Sequence, residues 1–230
     1  MKSTDERTAR ERFVDALSGF LQRQRKPILA LTVIVLAGIA GFAVYAEIRN
    51  HRAEEALVQL EDLQTRVDER QGLEEDERTE FDEDVLGELN DLIDRYPGTY
   101  AAQRSLFLSG ILYMEQENFE AAADSFGRLA DRFPEGHLAL IARANEATAH
   151  EENSEPEEAM DAYRQLLSMR PDSSPLTARA LFSLGRLSER QSGDGDDPRD
   201  YYERIINEYP QSNWTTLARN RLLALSTAAP

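Results

Sequence analysis

The chain has 230 residues, and 41% of them are hydrophobic, enough for a folded core and too many for a disordered tail. Against 26 Lys and Arg stand 43 Asp and Glu, a net charge of -17, so the surface repels nucleic acid and anionic headgroups. The absence of cysteine excludes a disulfide framework, a thiolate metal site and a lipid-modified cysteine anchor.

Residues 1–26 run against the acidic trend, with seven basic and four acidic side chains that include both lysines, Lys2 and Lys26. Every cation beyond them is an arginine. Phe13, Val14, Leu17, Phe20 and Leu21 recur at helical spacing among these basic groups. That pattern suits a short interfacial helix on an inner leaflet or a loosely ordered juxtamembrane segment.

Residues 27–46, PILALTVIVLAGIAGFAVYA, are 20 positions without a charge. At about 1.5 Å per residue they cover a hydrocarbon core of roughly 30 Å. Arg23, Arg25 and Lys26 stand before the stretch, whereas Glu47, Arg49, Arg52, Glu54 and Glu55 follow it. By the positive-inside rule the N-terminus stays cytoplasmic and the remainder is exported. A cleaved signal peptide is the competing reading, since Val44 and Ala46 suit signal peptidase, but the long basic lead and long apolar stretch favour a retained anchor. Within the span, Ala37 and Gly41 form a small-xxx-small pair, a common pattern that is weak alone.

Beyond the span, periodicity predicts helices over 46–70 and 81–95, 99–115 and 118–133, 137–152 and 156–169, 174–191 and 198–208, and finally 212–225. Ala53, Ala56, Leu60, Leu63 and Val67 make an a/d-like seam, too short to require a coiled coil, and the helix is expected to pair with FDEDVLGELNDLIDRYP. That pairing would hold the array close to the bilayer. Four segments end alike, in LIDRYP, LADRFP, LLSMRP and INEYP, at Pro97, Pro134, Pro171 and Pro210. Proline lacks an N–H and disfavours helix in the preceding residue, so each one stops the second helix of a hairpin. The last predicted helix, with Ser212 as its N-cap, reads as an unpaired cap, and its Trp214 as packing.

The unit ending at Pro134 carries Gly110, Tyr113, Ala122 and Phe126; the next keeps Ala159, Tyr163 and Pro171; the third keeps Gly185, Tyr202 and Pro210. These residue types and separations resemble the tetratricopeptide repeat. The expected fold is all-α: one N-terminal transmembrane helix, then a tetratricopeptide-like right-handed α-solenoid. The expected division is a cytoplasmic lead (1–26), a span (27–46), a membrane-proximal helix pair (47–97), and repeats with a C-terminal capping helix (98–230).

Chemistry is scarce. His51, His137 and His150 are scattered, SGDGDDP lacks the EF-hand order, and the acidic runs 74–84 and 151–158 fall at predicted helix ends or loops. Ser105, Ser109 and Ser183 have no His–Asp partners in prospect, and no phosphate loop is present. The reading is of a non-enzyme with no cofactor and no metal. Its inner face would come from the first helix of each unit, with Arg104, Phe107 and Ile111, then Arg143, Asn145 and Thr148, then Arg179, Phe182 and Arg186 as candidate peptide contacts. Arginine there would grip carboxylates or peptide carbonyls.

Lead, single span, polar helix pair and degenerate repeats together resemble the YfgM-type ancillary subunit of the SecYEG translocon. The resemblance implies an inner-membrane protein with a periplasmic domain that meets translocon components, chaperones or exported polypeptides. The YPGTYAA turn is also similar to that of the Tol-Pal cell-division coordinator and of outer-membrane assembly lipoproteins with the same repeats. Those families carry a cleaved signal or a lipobox cysteine. A structural assembly protein of an envelope complex is therefore the second expectation.

Overall fold

The structure is a computed structural model that describes residues 9–169, 175–190 and 197–228. Every element among them is helical: α1 (Ala9–Glu69), a single 3-10 turn (Arg70–Gly72), α2 (Glu75–Arg95), α3 (Tyr100–Glu115), α4 (Phe119–Arg132), α5 (Ala139–Glu152), α6 (Pro156–Ser168), α7 (Pro175–Ser188), α8 (Pro198–Glu208) and α9 (Trp214–Ala228). The chain separates into two compact units, up to Arg52 and from Ala53 onward.

In the first unit, the described side chains of residues 29–45 are almost all apolar and exposed around the whole helix: Leu29, Ile34 and Phe42 are 65%, 68% and 71% exposed. Among the described residues, one helical stretch, Leu29–Glu69, is long and apolar enough to cross a membrane. The helix also runs through Pro27, and residues 9–26 are part of it. A proline there removes one backbone hydrogen bond without ending the helix.

The second unit is a succession of hairpins. The seam residues Ala56, Leu60 and Leu63 are buried in a cluster with Val85, Leu86, Leu89 and Leu92, so this stripe packs within the chain. Helix starts are capped locally. Thr99 Oγ1 accepts the Ala102 N–H at 3.2 Å, Asn118 Oδ1 that of Ala121 at 3.3 Å, and Asp197 Oδ1 that of Arg199 at 2.9 Å. Pro156 and Pro198 open α6 and α8, where a missing N–H costs nothing.

The recurring endings have one geometry. Tyr96, Phe133 and Tyr209 leave their helices at φ/ψ of -123/51, -128/55 and -128/50 degrees, each just before its proline. A residue before proline is pushed out of the α region, so these three helices stop at one point. Pro171 lies outside the described residues, as does the stretch 192–196 of SGDGDDP.

α2 differs from expectation, since it begins at Glu75 and not at 81. The acidic run 74–84 is therefore mostly helix. It holds no Gly or Pro, and carboxylates in a first turn favour the positive end of the helix dipole. Nor is it all solvated. Asp82 is 3% exposed and accepts two hydrogen bonds from the buried Arg70 guanidinium, at 2.9 and 2.7 Å, while Arg70 also pairs with Glu115 of α3. These bonds tie the 3-10 turn to α2 and α3.

Hairpin closure depends on a ring lying on a helix backbone. A Cβ placed on Gly110 would sit 2.6 Å from Phe126 Cε1, and one on Gly185 would sit 2.7 Å from Tyr202 Cε1. In the middle unit, Ala147 and Tyr163 share one buried cluster. Ala122 and Ala159 are fully buried, and Tyr113 bridges the first two clusters. The terminal helix breaks the rule in an informative way. Counted from the buried pairs Thr177/Thr215 and Ala180/Ala218, Leu223 of α9 takes the place of Gly185 and is 65% exposed. A leucine there forbids the approach of a further aromatic-bearing helix. The opposite side of α9 packs Trp214, Leu222 and Leu225 on the last core cluster, with Trp214 5.1 Å from the Phe182 ring.

Glycine substitutions test this closure. Gly110→Ala should cost about 1–3 kcal/mol by overpacking Phe126, whereas Gly87→Ala in α2, where a Cβ meets nothing within 4 Å, should stabilise by about 0.5–1 kcal/mol. Thermal unfolding followed by circular dichroism should move in opposite directions for the two variants.

Candidate functional site

Consecutive helices pack as neighbours from α2 to α9; in addition α5 touches α7 and α7 touches α9, while no two even-numbered helices make more than a marginal contact. A stack that is tighter on one side curves toward that side. From α5 to α9 the odd-numbered helices therefore line the inner face.

Setting Gly110, Ala147 and Gly185 in register fixes which side chains of α3, α5 and α7 are equivalent. Arg104 aligns with Ile141 and Arg179, Phe107 with Ala144 and Phe182, Ile111 with Thr148 and Arg186, and Met114 with Glu151 and Glu189. The outer two candidate triplets thus occupy equivalent positions. In the middle unit only Thr148 does, while Arg143 and Asn145 stand one or two positions away from the equivalent residues.

Burial bears this out for Arg143. It aligns with Leu106 and Leu181, both buried, and is itself only 6% exposed. Its guanidinium donates to Glu146 Oε2 at 2.6 Å and pairs with Asp131 of α4. Burial pushes the Glu146 carboxyl above its ordinary range, against the opposing charge and hydrogen bond of Arg143. Arg143 thus ties α5 to α4. Asn145 is partly buried on the same helix.

The remaining candidates fall into an apolar end and an ionic end. On α3, Phe107 meets Phe126 edge-on at 5.7 Å, Arg104 lies 5.8 Å over the Phe107 ring, and Ile111 packs on the same cluster. On α5 and α7, Arg179 donates to Thr148 Oγ1 at 3.1 Å and Arg186 pairs with Glu151. Phe182 contacts the Tyr202 ring at 5.5 Å. Exposed Tyr100 and His137 stack at 5.7 Å, and each opens its unit.

Two carboxylates and one arginine of this face were not expected from the sequence. Glu151 accepts the Tyr163 hydroxyl at 2.8 Å and pairs with Arg186; Glu189 accepts the Tyr202 hydroxyl at 2.6 Å and pairs with Arg221 of α9. Burial, followed by the adjacent carboxylate, pushes the Tyr202 hydroxyl far up. For Glu189, burial pushes upward, but hydrogen bonds from Arg221 and Tyr202 and the Arg221 charge outweigh it and hold the carboxyl below its ordinary range. A Glu 12 or 13 residues before each Tyr was the available signal. Among the described residues, no cluster of three or more His, Asp or Glu could hold a metal ion.

Residues 19–166 match the family described as tetratricopeptide repeat-like domain, and residues 145–213 match the tetratricopeptide repeat. The chain belongs to the tetratricopeptide repeat-like family. A TPR repeat-containing protein of Treponema pallidum (strain Nichols) is 27% identical to it over 115 residues, 50% of this chain and 47% of that protein. The match thus spans about half the length of that relative. Tetratricopeptide arrays are protein-interaction scaffolds, and membership of the family implies that general role for this chain.

Arg143 offers a test of the register. Arg143→Leu alone leaves the largely buried Glu146 unpaired, its side chain 14% exposed, and should cost about 3 kcal/mol. Arg143→Leu with Glu146→Leu reproduces Leu181 and Leu184 of the next unit and should recover most of that loss, read as the shift in thermal midpoint of each variant.

Proposed function

We propose that the chain is a membrane-anchored scaffold whose inner face holds segments of other polypeptides outside the cytosol, as an ancillary translocon subunit or a recruiter of chaperones for exported proteins. In this reading residues 1–26 are a cytoplasmic lead, 27–46 the span, 47–97 a membrane-proximal helix pair and 98–230 the repeats, in a bacterial inner membrane. The observation that carries it is one chain holding both parts: an uncharged 20-residue stretch with basic residues before it, and a stack of helical hairpins whose inner side, in this reading, presents Arg104, Phe107, Ile111, Arg179, Phe182 and Arg186. The resemblance to the ancillary translocon subunit, in lead, span and degenerate repeats, supports the choice of partner. The role is non-enzymatic, as is usual for tetratricopeptide arrays.

Site-specific photocrosslinking in cells tests the reading. A photoreactive residue at Phe107, Ile141 or Phe182 should capture exported chains, chaperones or translocon subunits, while one at Arg128 or Asp161, on the exposed sides of α4 and α6, should capture few. Recovery of envelope-complex components without any translocon contact would favour the assembly role instead. Protease added outside the cytoplasmic membrane should degrade residues 53–230 and spare the lead. Protection of those residues would reverse the orientation.

A further inference from the structure

The two Tyr–Glu–Arg sets join neighbouring units, and the first junction shows that the stack does not need them. In the register set by the glycines, Glu151, Tyr163 and Arg186 correspond one unit back to Met114, Phe126 and Thr148; Met114 and Phe126 pack in one apolar cluster, and the Thr148 hydroxyl donates to the Ala144 carbonyl of its own helix at 2.9 Å. The same junction is thus built once with no ion pair and again from an ion pair plus a tyrosine hydroxyl. An apolar junction avoids the desolvation that a partly buried ion pair incurs.

The ionic sets are also asymmetric. Glu151 and Glu189 are 16% and 12% exposed, while their partners Arg186 and Arg221 are 31% and 46% exposed, so it is the arginines that face solvent. Tyr163 uses one oxygen of Glu151 and Arg186 the other. Tyr202 holds Glu189 Oε1, and Arg221 reaches both oxygens. If either arginine turned away, the glutamate would keep its tyrosine hydrogen bond. Beside the second set is an open cavity of about 290 Å³ lined by Phe182, Arg186, Glu189, Arg190 and Arg221, three guanidiniums to one carboxylate. In a chain of net charge -17, such a local excess of cations is where an anionic group is least repelled.

We infer that this cavity is a subsite for a carboxylate side chain of the bound polypeptide, taken by Arg186 and Arg221, and that Glu189 within it and Glu151, which holds Arg186 from outside its lining, act in the free protein as built-in competitors. Phe182 supplies an apolar wall, so the segment that fits carries an acidic residue beside an aromatic or aliphatic one. The subsite rests on the reading of the inner face as peptide-binding. The ligand carboxylate replaces an internal one at the same arginines, and affinity is reduced by the occupancy of the internal pair.

The test uses the full chain in nanodiscs and fluorescence anisotropy with two synthetic peptides, one of alternating Glu and Phe, the other with Gln for every Glu. Glu189→Gln keeps an oxygen for the Tyr202 hydroxyl but no charge for Arg221. It should tighten binding of the Glu peptide by about threefold to fivefold, as expected for the release of one partly exposed ion pair, and leave the Gln peptide unchanged. Glu151→Gln should act alike at Arg186 and serves as the second reading, while Arg221→Gln should abolish the preference for Glu over Gln. Unaltered or weaker Glu-peptide binding in both glutamate variants, with unchanged thermal midpoints, would overturn the competitor. Equal binding of the two peptides by every variant removes the subsite alone. Binding of neither peptide by any form removes the peptide-binding face with it.

Discussion

An aromatic ring lying on a glycine backbone is the contact from which the rest of the array follows. The space beside Gly110 and Gly185 is filled by the rings of Phe126 and Tyr202, leaving no room for a Cβ at either glycine. That close approach sets how tightly the two helices of a hairpin pack, and the proline after Tyr96, Phe133 and Tyr209 ends each second helix at an equivalent place. With hairpins ended alike, neighbours stack in register, so that α5 reaches α7 and α7 reaches α9. Leu223 of α9, at the place of the glycine, closes the series.

The identity of the ring then decides the chemistry of the junction. A buried phenylalanine asks for nothing polar, and around Phe126 the neighbours are Met114 and Ala149. A buried tyrosine carries a hydroxyl that must be hydrogen-bonded, since leaving it unpaired would cost about 1–3 kcal/mol. Tyr163 and Tyr202 meet that demand with Glu151 and Glu189. A partly buried carboxylate requires a cation in its turn, and the available place is the next odd-numbered helix, which supplies Arg186 and Arg221. One oxygen atom added to a ring thus leads to an arginine on the inner face.

How much of this the sequence disclosed follows from the range of each interaction. Hairpin ends were legible because proline and the residue before it act within two positions, and the stops at Arg95, Arg132 and Glu208 fall within one residue of expectation. The start of α2 was not, because a dense run of carboxylates reads as solvated loop unless the buried Arg70 that donates to Asp82 is known. The middle unit was read out of register for a related reason. Ala147 replaces the glycine that marks the units on either side, so nothing local distinguished Arg143, at a buried position, from Ile141, at an exposed one. The glutamates of the inner face were missed because their arginines lie 35 and 32 residues away, a proximity that exists only after stacking.

Charge ties these levels together. The chain has many more carboxylates than cations, so an arginine placed almost anywhere finds a partner; Arg66 and Arg143 find theirs on the helix pair to which they belong or on the helix just before it. Arg186 and Arg221 differ, because each reaches across from one odd-numbered helix to the preceding one. A ligand that draws either arginine away removes a bond between units and adds one between unit and ligand. In the proposed reading, binding on the inner face would be coupled to the contacts between units, and the coupling would be confined to the ionic half of the array. Around Phe126, where the junction is apolar, a ligand can gain contacts without loosening anything.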